Sequence, residues 1–113
     1  MFTLYGIPNC DTIKKARQWL NDNKIDYYFH DYKKAGVSEA ELDAWCDTFG
    51  IDKVLNKRGT TWRKLAIDGK EDLDQIALKQ LMVEHPSLIK RPVIADDIPR
   101  LIGFSPDSYK SLL

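Results

Sequence analysis

Phe2-Thr3-Leu4-Tyr5-Gly6-Ile7-Pro8-Asn9-Cys10, continued by Asp11-Thr12-Ile13-Lys14-Lys15-Ala16-Arg17, is the stretch from which the fold can be argued. Phe2 to Tyr5 is short, apolar and β-favouring, as a buried strand is. Gly6 and Pro8 then punctuate the extended run. From Cys10 onward Ile13, Ala16 and Leu20 recur on one helical face, with Lys14, Lys15, Gln18 and Asn21 outward. A cysteine carried by a strand to the first turn of a helix lies where unpaired backbone N–H groups point outward. Those donors and the helix dipole favour thiolate over thiol. Two readings stay open at this point: a nucleophile, or a buried, inert thiol of the kind common in protein interiors.

The chain has 113 residues, enough for one domain with its own core. Apolar residues make up 43% and charged residues 30%, the balance of a soluble globular protein. Formal net charge is zero, so no global field recruits nucleic acid, an anionic membrane or an acidic substrate. An anion site would have to come from a few placed Arg or Lys side chains. The amino terminus lacks the charged-then-apolar pattern of a secretory signal, and no apolar run is long enough to span a bilayer. Cys10 and Cys46 are far apart and make no disulfide framework, so a cytoplasmic, reducing compartment is expected. Together with His30 and His85 they show no metal-ligand spacing, and no metal is expected.

Downstream, Asn21-Asp22-Asn23-Lys24 ends the first helix and the aromatic run Tyr27–Tyr32 reads as a second strand. A strand, a helix and a strand in so few residues suggest a parallel βαβ unit with a right-handed crossover. His30, alone in that aromatic run, reads as a packing residue. Ser38-Glu39-Ala40-Glu41 is a capping box, and Leu42, Trp45, Cys46 and Phe49 follow as one apolar stripe closed by Gly50. Cys46 is therefore expected to be buried and unreactive. The run from Val54 to Leu65 gathers Lys57, Arg58, Arg63 and Lys64 around a Gly turn: a solvated basic loop, or an anion pocket built on Arg58 and its neighbours. Glu71-Asp72 is expected to start another helix with Leu73, Ile76, Ala77 and Leu81 inward, closed by His85-Pro86. Pro92 stands before the apolar strand Val93-Ile94-Ala95, where a cis peptide could expose main chain, and Arg91 would project at the same surface. Asp96-Asp97-Ile98-Pro99 turns the chain into the paired strand Arg100–Phe104, and Ser105-Pro106 opens a last helix.

The order β-α-β, middle helices, β-β-α is that of a thioredoxin-like α/β fold, a four-stranded mixed sheet with an inserted helical subdomain. The core would span about 1–35 and 87–113 and the insertion about 36–86 of a single domain, 1–113. Its two landmarks, a reactive cysteine heading the first helix and a proline before the third strand, fall on Cys10 and Pro92.

End to end, the sequence resembles the arsenate reductase (ArsC)-like family, nearest its short YffB subgroup and more distantly the Spx regulators. The resemblance is carried by Tyr5–Thr12, Leu55-Asn56-Lys57-Arg58, Gly103-Phe104-Ser105-Pro106 and, most specifically, the run from His85-Pro86 to Arg91-Pro92. It implies Cys10 as nucleophile, Arg91 as an oxyanion-binding arginine, and Arg58 as a second, with Lys57, Asn9 and Pro92 also lining the substrate. Three positions depart from the arsenate reductase pattern: Gly6 stands where those enzymes have histidine, Ile13 where they have serine, and Gly103 where they have a third arginine. Ile13 also excludes the Cys-x-x-Cys that Spx proteins often carry.

The expected activity is therefore a glutathione-dependent thiol reductase working through a mixed disulfide on Cys10. Glutathione would be a co-substrate drawn from solution, and its chain would lie as an extended strand along exposed main chain at Pro92. A small oxidised compound or a mixed disulfide would be the other substrate. Arsenate reduction is one alternative, and an Spx-like regulator that contacts RNA polymerase is another. No direct nucleic-acid or membrane contact is expected, and a monomer is.

Overall fold

Four strands form one mixed sheet in the order β2-β1-β3-β4 in the computed structural model, which describes all 113 residues. β1 (Phe2–Gly6) and β2 (Tyr27–Asp31) run parallel, from Phe2 opposite Tyr27 to Gly6 opposite Asp31. β3 (Val93–Ala95) lies antiparallel to β1, with Tyr5 opposite Val93, and β4 (Pro99–Ile102) lies antiparallel to β3. Each parallel connection needs a crossover, which α1 (Asp11–Asp22) supplies between β1 and β2. The chain divides into two compact units, Met1–Ala35 with Arg91–Leu113, and Gly36–Lys90.

In the first unit Leu4, Ala16, Leu20, Ile94 and Tyr109 form a fully buried cluster, with Phe2, Trp19, Leu101 and Phe104 packed against it. All but Tyr109 are inward positions of β1, α1 and β3, so the strand alternation and the helical stripe converge on one core. Trp19 and Phe104 both meet the Tyr109 ring edge-on, at 5.5 and 4.7 Å between centroids. Tyr109 comes from α7 (Pro106–Tyr109), which opens as expected with Ser105 accepting a hydrogen bond from the Ser108 N–H. A short turn, α2 (Tyr32–Ala35), ends the first segment of this unit.

The second unit begins with α3 (Glu39–Phe49). Its capping box is complete: Ser38 Oγ accepts from the Glu41 N–H and the Glu41 carboxylate accepts from the Ser38 N–H. Leu42, Trp45 and Cys46 are buried, and Gly50, at φ +87°, ends the helix with its N–H on the Cys46 carbonyl. α4 (Ile51–Val54) follows, and then α5 (Thr60–Lys64), so part of the expected basic loop is helical. The next long helix, α6 (Gln75–Glu84), starts later than Glu71-Asp72. Asp74 caps it by accepting from the Ala77 N–H, while Lys70–Asp72 forms only a 3-10 turn. Its buried residues are Leu78 and Met82, and Ile76 is exposed.

Residues 87–90, placed with the sheet by sequence, group instead with this unit. Leu55 bridges Ile89, the Asn56 N–H donates to the Leu88 carbonyl, and the Lys90 N–H donates to the Val54 carbonyl at 2.7 Å. No helix of the chain is long and apolar enough to cross a membrane.

Candidate functional site

β1 ends at Gly6, Ile7 to Asn9 turn the chain, and Cys10 becomes the N-cap of α1 with extended backbone (φ −121°, ψ 128°). The Cys10 carbonyl accepts the first helical bond, from the Lys14 N–H at 3.0 Å. Its thiol makes no side-chain hydrogen bond that caps the helix. The open N–H groups of the first turn are thus left to act on the sulfur, as at any uncapped helix start.

The second contributor comes from the other end of the chain. Because Val93 of β3 lies opposite Tyr5 of β1, the residues just before β3 run beside the end of β1 from which the Cys10 turn departs. Arg91 is there. The Arg91–Pro92 peptide is cis, and the Arg91 guanidinium hydrogen-bonds the Cys10 sulfur.

Partial burial pushes the Cys10 thiol up. The Ile13 N–H, the Arg91 hydrogen bond, the Thr12 N–H and the Arg91 charge together outweigh it and hold the thiol below its ordinary value. Cys10 is also only half-buried, so the sulfur can be reached. A partly exposed thiolate beside a guanidinium is the environment of a reactive cysteine rather than a structural one.

Cys46 is the contrast. It is buried in α3, and burial pushes its thiol up against the opposing pull of Lys79. Lys79 itself is paired with Asp43 at 3.0 Å.

Other residues proposed from sequence fall as follows. Asn9 is exposed in the turn before Cys10. Pro92 is buried; proline carries no N–H, and its carbonyl accepts from the Gly103 N–H at 2.8 Å.

Arg58 and Lys57 belong to the second unit. Arg58 is exposed, its N–H held by Asn56 Oδ1 at 3.1 Å. Lys57 reaches Glu71 at 3.9 Å and stands 5.4 Å from the centroid of the Trp62 ring, which Lys70 also faces at 5.1 Å. Arg17, farther along α1, is occupied: it donates to the Tyr27 hydroxyl at 3.0 Å and lies 4.6 Å from the Phe29 centroid. His30 packs against Tyr5, as expected of a structural residue.

Sequence reasoning singled out Cys10, the helix start and Arg91, which the structure places side by side. It missed the contact between Gly6 and Ile13, where the Ile13 side chain fills the space that a Cβ on residue 6 would need. Only the return of α1 over the end of β1 brings these two residues together, seven positions apart in sequence. No group of three or more His, Cys, Asp or Glu side chains is gathered as a metal ion would need.

Comparison with known proteins gives a consistent picture. The ArsC family pattern matches residues 5–112. A YffB protein of known structure is 47% identical, with a TM-score of 0.91 over 98% of this chain and 97% of its own. An arsenate reductase (ArsC) related protein from Brucella melitensis is 46% identical, with a TM-score of 0.76 over 97% of this chain and 92% of its own. The global transcriptional regulator Spx of Streptococcus agalactiae is 31% identical across 100% of this chain and 83% of its own length.

Proposed function

The chain belongs to the ArsC family, with its thioredoxin-like α/β fold, and we propose that within that family it is a glutathione-dependent thiol reductase using Cys10 as nucleophile. The observation that carries this reading is the pair of opposing thiols: Cys10 reachable and held toward thiolate by Arg91 and two N–H groups, Cys46 buried and held toward thiol.

The Cys10 thiolate attacks the glutathione sulfur of a mixed disulfide, forming a Cys10–S–S–glutathione bond and expelling the substrate as thiolate. A second glutathione thiolate then attacks the glutathione sulfur bound to Cys10. It leaves as glutathione disulfide and restores the Cys10 thiolate. The proton lost by the incoming glutathione is the one the substrate thiolate takes up, so the cycle is balanced. A resolving thiol from solution is called for because Ile13 stands three residues after Cys10, and Cys46 is a poor nucleophile.

A disulfide is also the electrophile this site suits. The groups acting on the sulfur are main-chain N–H donors and an arginine, none of which releases a proton near neutral pH. Expelling a thiolate needs no such proton, whereas expelling an oxygen from arsenate does.

Treatment with oxidised glutathione followed by mass spectrometry tests the reading. One adduct is expected, on Cys10, absent in Cys10→Ser and unchanged in Cys46→Ala. An adduct on Cys46 alone, or none, rejects it. Two other readings have specific support. Likeness to the Brucella arsenate reductase related protein favours arsenate reduction, which measured arsenate turnover lost in Cys10→Ser would establish. Whole-chain likeness to Spx favours a regulator that contacts RNA polymerase, which polymerase capture independent of Cys10 would establish.

A further inference from the structure

Gly6 closes β1 in ordinary extended pairing opposite Asp31, and its φ is not positive, so its backbone does not call for glycine. Space calls for it. A Cβ on residue 6 would collide with Ile13 Cδ1, lie 2.9 Å from Ile13 Cγ1 and come within 3.9 Å of Arg91 Cβ. Real Cβ atoms essentially never approach a heavy atom that closely, so Ile13 would have to move. Ile13 is fully buried in the first turn of α1, with no free volume advertised by exposure. Residue 6 therefore borders, by side-chain packing, two of the three residues whose donors act on the Cys10 sulfur, Ile13 and Arg91.

We propose that Ile13 is a positioning residue for the Cys10 site: its side chain, seated in the space that the absent Cβ of Gly6 leaves, pins the first turn of α1 against the end of β1 and so keeps the Ile13 N–H directed toward the sulfur. The proposal rests on the reading of Cys10 as the nucleophile and adds to it a packing device that sets how far the thiol is ionised. The device works by shape. A β-branched side chain with a restricted χ1 fills a slot that only glycine leaves open. A side chain added at position 6 displaces Ile13, and with it the main-chain donor that Ile13 carries. The same crowding presses on Arg91 through its Cβ. Shortening residue 13 to valine removes the worse of the two clashes, that with Cδ1, and leaves Cγ1 at 2.9 Å, which a shift of a few tenths of an ångström relieves; the volume-conserving exchange between the two positions is therefore tolerated better than Gly6→Ala alone.

The experiment is a double-mutant cycle read on the thiol itself, in a Cys46→Ala background so that Cys10 alone titrates. Ultraviolet thiolate absorbance and alkylation rate are followed against pH in the parent, Gly6→Ala, Ile13→Val and Gly6→Ala/Ile13→Val, with thermal midpoints alongside. Gly6→Ala is expected to raise the half-ionisation pH of Cys10 by about one unit, a roughly tenfold loss of thiolate at acidic pH. Ile13→Val, which removes Cδ1, is expected to return the double variant to within a few tenths of a unit of the parent.

A Gly6→Ala protein that melts earlier but titrates like the parent overturns the proposal, because a merely structural contact moves stability and not the thiol. So does a double variant that stays shifted. If Gly6→Ala does not fold, Ile13→Ala empties the same slot from the other side; an unmoved titration there overturns the proposal, and an upward shift supports it. A parent protein whose Cys10 titrates as an ordinary thiol sinks the nucleophile reading first, which is distinct from a low parent value that the substitutions leave unchanged.

Discussion

At the scale of single residues, two kinds of donor share the ionisation of Cys10. Arg91 brings a full charge and a hydrogen bond, while Ile13 and Thr12 bring main-chain N–H groups that no side-chain substitution deletes. Arg91→Ala should therefore raise the pH at which Cys10 ionises without returning it to that of a free thiol; about one unit is expected, the low end for loss of an adjacent opposite charge. Arg91→Lys keeps the charge but loses the planar fork, and should recover part of the shift. Alkylation rate against pH reads both; equal profiles for wild type and Arg91→Ala would leave the arginine without a role at the sulfur. Tyr109 is a second residue whose chemistry can be read directly. Its ring is fully buried and its hydroxyl has no hydrogen-bond partner, so burial pushes its ionisation far up. An unpartnered buried hydroxyl costs its desolvation and returns nothing. Tyr109→Phe should thus leave stability unchanged or raise it by about 1 kcal/mol, as urea unfolding would show. A loss of that size would mean that the hydroxyl is bonded after all.

At the scale of elements, the helix starts carry most of the legible structure. Ser38 and Glu41 announce α3 from sequence, and the reciprocal bonds between them are present. Ser38→Ala should cost about 1 kcal/mol in unfolding free energy, with Ser38→Asp largely restoring it. A change under a few tenths would show that the cap adds little to a helix already held by Leu42 and Trp45. Ser105 before α7 was legible for the same reason, since cap residues act over three or four positions of sequence, whereas Cys10 at the head of the uncapped α1 was legible from the Gly6 and Pro8 punctuation and the apolar face that follows. The start of α6 was not. Glu71-Asp72 and Asp74 both suit a helix start by charge, and the choice of Asp74 turns on packing that buries Leu78 and Met82 in place of Leu73 and Ile76. Contacts across the sheet were likewise hidden. That Gly103 donates to the Pro92 carbonyl follows from the pairing of β3 with β4, and no local pattern announces it. Gly6 and Ile13 could be read only as two separate departures from the arsenate reductase pattern, although they are one packing contact.

At the scale of the whole molecule, the two thiols enter the unfolding equilibrium with opposite signs, and that gives a test independent of catalysis. In the unfolded chain both cysteines titrate near the ordinary thiol value, about 8.5. Cys10 is held lower in the folded protein, so between its folded value and about 8.5 the unfolded state binds more protons and stability rises with pH. Its contribution is complete above the unfolded value and is lost as pH falls through the folded one. Cys46 is held higher, so its contribution is complete below about 8.5 and is lost as pH climbs toward its folded value. Urea unfolding of wild type, Cys10→Ser and Cys46→Ala from about pH 6 to about pH 9.5 separates the two. The stability difference between wild type and Cys10→Ser should grow with pH and level off near the unfolded thiol value, whereas that between wild type and Cys46→Ala should shrink only above it. Changes in packing caused by either substitution add a constant to each curve and leave its slope alone, so the slopes report protons and nothing else. A flat Cys10 difference would mean that the fold does not favour its thiolate, whatever reactivity the sulfur shows. A Cys46 difference that grew with pH would mean that the buried thiol is the one held ionised, and the assignment of roles to the two cysteines would have to be exchanged.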